Sequence, residues 1–90
     1  MKITLASILE ALKQNGIESQ QSSEMEIQIF PALANGDVVT VTKMVGNSVV
    51  VAVERGEDED LEFVSYTVVN TILDIIRDVK IVFEKSAVLS

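Results

Sequence analysis

Cysteine, histidine and tryptophan are absent from this chain, and proline occurs once. Without cysteine there is no disulfide and no thiolate, which fits a reducing compartment. Without histidine no imidazole can activate the serines, so no nucleophilic triad can form. The two absences together leave no ligand set for zinc or another transition metal. Gly16, Gly36, Gly46 and Gly56 stand singly, so there is no glycine-rich phosphate loop. Cations are few: seven Lys and Arg against fourteen Asp and Glu, for a net charge of −7. The seven are scattered, whereas phosphate-backbone contact needs them clustered, so neither direct nucleic-acid binding nor binding to an anionic membrane is expected. No run approaches the ~18 apolar residues of a membrane span. Glu10 interrupts the apolar start before a signal peptide could form, so the expected location is the cytoplasm.

What is present fits one domain over residues 1–90. Hydrophobic residues make up 48% of the chain, an apolar share that in so small a domain often goes into a subunit interface. A homodimer or a complex with another protein is therefore expected.

The clearest element is a helix over about residues 4–15. Thr4 is a candidate N-cap, and Ile3 and Ile8 are spaced as a hydrophobic staple. Leu5, Ile8, Leu9 and Leu12 form its apolar stripe. Gly16 stands where a C′ glycine belongs, with Ile17 placed to pack on Leu12. Residues 18–24 read as a polar connector. Met25, Ile27 and Ile29 alternate with Glu26 and Gln28, the pattern of a half-buried strand ended by Pro31.

Two further strands are expected at about 38–44 and 48–55, joined by a two-residue turn at Gly46-Asn47. That turn pairs Met44 with Val49 and Thr42 with Val51. One face then holds Met44, Thr42, Thr40, Val49, Val51 and Val53, and the other Lys43, Val41, Val39, Val50, Ala52 and Glu54. Both faces come out substantially apolar, where a sheet wet on one side should alternate more strictly. From about Phe63 the pattern reads as a long, largely buried helix. Ile81-Val82-Phe83 has strand composition, giving a short strand expected at about 80–85. The fold class expected is thus α+β: a small two-layer domain, order α-β-β-β-α(-β), with an antiparallel sheet of three to four strands and two helices.

The densest chemistry is Glu57-Asp58-Glu59-Asp60-Leu61-Glu62, with five acids in six residues. Like charges so close repel one another, and a cationic partner would relieve that repulsion. Glu57, Asp58, Glu59, Asp60 and Glu62 are therefore the candidate partner-binding residues. A calcium loop is excluded: if Asp58 and Asp60 opened an EF-hand, its required Gly and bidentate Glu would fall on Phe63 and Val69. The alternative contact surface is apolar. Phe30-Pro31-Ala32-Leu33 forms an apolar corner suited to dimerisation or strand addition, and the valine-rich sheet face supplies Val39, Val41 and Val50. No catalytic, cofactor-binding or metal-binding residue is expected.

Residues Leu5–Ile17, the strands to Val53 and the expected helix from Phe63 follow an order similar to the first half of type III secretion chaperones and YbjN-like proteins. That likeness implies capture of an apolar segment of another protein, but the chain lacks room for that family's remaining strands and final helix. In size, charge and architecture it also resembles some phage-encoded inhibitors, including anti-CRISPR proteins. The function expected is a non-catalytic, acidic protein-binding module that inhibits or antagonises a basic protein, nucleic-acid-binding proteins among them. The alternatives are a chaperone or adaptor for an apolar segment and a structural accessory subunit.

Overall fold

The computed structural model describes residues 3–33, 36–55 and 62–89. Helix α1 spans Leu5–Gln14 and is closed at both ends by its own sequence. The Thr4 hydroxyl accepts from the Ser7 backbone N–H at 3.1 Å, and the Ser7 hydroxyl accepts from the Thr4 N–H at 2.9 Å. This reciprocal box satisfies two of the amides that a helix start leaves unpaired. At the other end Ile17 N donates to Leu12 O (2.9 Å) and Gly16 N to Lys13 O (3.1 Å). That is the Schellman closure, and it requires the φ of +71° that Gly16 adopts.

Five strands follow: β1 Glu18–Gln21, β2 Glu26–Phe30, β3 Val38–Lys43, β4 Val49–Arg55 and β5 Glu62–Val69. They form one antiparallel sheet in sequence order, and α2, Ile72–Leu89, returns over it. The α+β class, the antiparallel sheet and the two helices stand as expected, with the sheet extended to five strands.

Four local expectations are corrected. The polar connector is in part a strand: β1 pairs Ser19 with Ile29 and Gln21 with Ile27. It buries almost nothing of its own, so hydrophobic periodicity has nothing to register there. Residues from Phe63 are strand, not helix; this aromatic and β-branched stretch suits a pleated surface. The second helix starts instead at Ile72, capped by Thr71, whose hydroxyl accepts from Asp74 N (3.1 Å) and whose carbonyl accepts from Ile75 N (3.1 Å). The stretch at 80–85 belongs to α2, where Val82 and Phe83 pack against the core. No Gly or Pro is there to stop the helix.

The fourth correction is the β3–β4 register. Met44 N donates to Ser48 O at 2.8 Å, so the turn is the three residues Val45-Gly46-Asn47, with Gly46 at φ +73°. Val41 pairs with Val51, Val39 with Val53 and Thr40 with Ala52. A shift of one residue moves a whole strand's side chains between faces. In the true register the apolar set falls together. Ile27, Ile29, Val39, Val41, Val49, Val51 and Val53 line one face, each no more than 6% exposed. Ile8 and Leu12 of α1 and Ile75, Ile76 and Val79 of α2 pack on that face and complete the core.

Candidate functional site

Both helices cover the same side of the sheet, so the opposite face carries no helix among the described residues. Strand alternation and register place on it Glu18 and Gln20 of β1, Glu26, Gln28 and Phe30 of β2, and Val38, Thr40 and Thr42 of β3. Val50, Ala52 and Glu54 of β4 and Tyr66 and Val68 of β5 continue it. Two apolar groups there stand in water: Tyr66 is 67% exposed and Val68 58%. Phe30, Val38 and Val50 are half-buried. Thr40 and Ala52, short side chains in the central row, are buried.

The charge on this face has one sign. Glu18, Glu26 and Glu54 lie on it, and among the described strand residues assigned to it there is no Lys or Arg. Lys43 and Arg55 fall on the other alternation. Lys43 Nζ donates to the Gly46 carbonyl at 2.8 Å, and Arg55 Nε lies 3.9 Å from Asp37 Oδ1. The Glu54 carboxyl is raised above its ordinary value, first by desolvation and then by the negative charge of Glu26. The Thr40 hydroxyl is buried with no hydrogen-bond partner, leaving an unsatisfied oxygen beneath this face.

The helical side is different. Helices α1 and α2 carry Lys13, Arg77, Lys80 and Lys85 against Glu10, Asp74, Asp78 and Glu84, an even balance. Arg77 pairs with Asp74, and Lys80 Nζ donates to Asn15 Oδ1 at 3.3 Å. An open groove of about 550 Å³ lies between the helices, flanked by Ala11, Leu73, Arg77, Lys80 and Ile81.

The expected site residues are distributed as follows. Glu57, Asp58, Glu59 and Asp60 lie outside the described residues. Glu62 opens β5, opposite Arg55 in register, so the acidic run leads into a strand rather than a helix. Of the apolar alternative, Val39 and Val41 are fully buried beneath the helices and Leu33 is buried at the core's rim. Phe30 and Val50 lie on the uncovered face. Sequence reasoning missed Glu26, Glu54, Tyr66 and Val68 as members of one surface. The signal that would have found them is the strand composition of residues 63–69 together with the three-residue turn.

No group of three or more metal-ligating side chains occurs among the described residues. No described helix is long and apolar enough to cross a membrane. Compared with models of known families, with curated proteins and with solved structures, the chain matches none.

Proposed function

We propose that this protein is a non-catalytic binding module whose uncovered sheet face docks a basic protein and so inhibits or antagonises it. The observation that supports this most is the single-signed charge of that face: three glutamates, with no cation among the described strand residues assigned to it, on the same face as apolar Val50, Tyr66 and Val68. Protein interfaces combine apolar contacts with charged groups, and the charge gives specificity and on-rate. Glu54 sharpens the argument. Its carboxylate is disfavoured by burial and by Glu26, and the attraction of a Lys or Arg from a partner would offset both. Glu57, Asp58, Glu59 and Asp60, which precede β5 in the sequence, and Glu62, its first residue, add five acids to the chain's charge, a further attraction for a basic partner. The balanced helical side offers no such preference.

Capture from host lysate by the tagged protein, with low-salt and then high-salt washes, tests this reading. A basic partner should be held at low salt and lost at high salt, because screening acts over ~8 Å at physiological ionic strength. Replacing Glu18, Glu26 and Glu54 by Gln should weaken capture, as should replacing Glu57, Asp58, Glu59, Asp60 and Glu62 by Gln or Asn. Equal capture by both variants would refute the reading.

Exposed Tyr66 and Val68 favour a second reading, an adaptor or chaperone that holds an apolar segment of its partner. Its binding would resist salt and fall on Val68→Ser. A structural accessory subunit would instead depend on one obligate partner for its own stability.

A further inference from the structure

The two edges of the sheet are built differently. β1 is four residues long, polar, and packed beside α1. β5 is eight residues long, and from Phe63 through Asn70 the chain has no charge and no Pro or Gly. Ser65, Tyr66, Thr67 and Val68 are all exposed, so this part of β5 is uncovered on both faces as well as along its outer edge. Edge strands are ordinarily protected by shortness, Lys, Pro or a covering element. Around Thr67 β5 has none of these among the described residues; its one irregularity, the register shift opposite Val53 and Glu54, lies towards its start.

We infer that β5 is the interface between two copies of this chain, which join edge to edge as an antiparallel pair about a two-fold axis at Thr67. The occupant follows from self-complementarity. An antiparallel pairing centred on Thr67 sets Thr67 against Thr67 and Tyr66 against Val68 twice, with Ser65 against Val69. Aromatic and β-branched residues are favourable cross-strand partners, and no like charges meet in this register. The same pairing joins the two uncovered faces into one ten-stranded surface. The short polar β1 edges lie at its far ends, so association stops at two. This assembly does not rest on the proposed basic partner: mass reads the edge, and salt-sensitive capture reads the face.

The absence of cysteine makes the test clean. The full chain is measured by light scattering after size exclusion at increasing concentration, and a mass twice 9.8 kDa is expected. Thr67→Lys opposes two ammonium groups at the axis and should weaken the dimer by more than about tenfold. Because Thr67 is exposed, far-UV circular dichroism should be unchanged, and Tm should match wild type at dilutions where both proteins are monomeric, the two diverging only where wild type dimerises. Thr67→Cys should cross-link to a dimer under mild oxidant, while Ser22→Cys in the β1–β2 turn should not. A wild-type monomer at high micromolar concentration, a dimer indifferent to Thr67→Lys, or equal cross-linking at both cysteines would each overturn the proposal.

Discussion

The two sides of this molecule use the same strands for opposite purposes. Val39, Val41, Val51 and Val53 alternate along β3 and β4 with Val38, Thr40, Ala52 and Glu54. The first set meets two helices and is nearly free of water. The second set meets no helix and carries acid without base. The helical surface balances four cations with four acids, so the chain's negative excess lies elsewhere. Net charge alone says that a cationic partner is favoured; the asymmetry says which side it would approach.

Substitutions in matched pairs break or sharpen this contrast. Ile75→Ala, in the fully buried contact of α2 with the sheet, should cost about 2–5 kcal/mol in urea unfolding. Leu73→Ala, two residues away and 83% exposed, should stay within about 0.5 kcal/mol. Adjacent positions on β3 give the next pair. Val41→Thr buries a hydroxyl among the core valines and should cost about 1–3 kcal/mol. Thr40→Val removes a hydroxyl that already has no partner, and thermal unfolding should show a Tm unchanged or raised.

The smallest effect concerns pH. The Glu54 carboxyl is raised in the folded state above its ordinary value of 4.5, so the folded protein binds more protons there than the unfolded chain does. Its contribution to stability therefore falls as pH rises through the range just above 4.5. Glu54→Gln should remove that slope and raise stability at neutral pH by up to about 0.5 kcal/mol, the usual scale of a surface change. Urea melts at pH 4 and pH 7 read both; an undiminished slope in the variant would assign it to another group.

What could be read from the sequence followed the strength of local signals. Helix α1 was legible because Thr4, Ile8, Leu12 and Gly16 each mark a cap or a buried position. β2 was legible from strict alternation. The hairpin was placed correctly but slipped by one residue, because Gly46-Asn47 resembles a two-residue turn and every register pairs valine with something acceptable. That slip put Glu54 with Val39 and Val41 and hid the acidic face. β1 escaped because its stability comes from β2 rather than from burial. β5 and α2 merged into one expected helix because apolar residues run through Asn70-Thr71, although Thr71 with Asp74 carries the capping pattern.

The uncovered face as the acidic docking surface is the central claim. Amide shift mapping on the isotope-labelled protein, titrated with a peptide of alternating lysine and leucine, tests it most directly. The account predicts that Glu26, Gln28, Thr42, Val50, Tyr66 and Val68 move together and that the shifts collapse at high salt, with α1 and α2 still. Shifts confined to the groove between α1 and α2, or a sheet face silent at every peptide concentration, would contradict it.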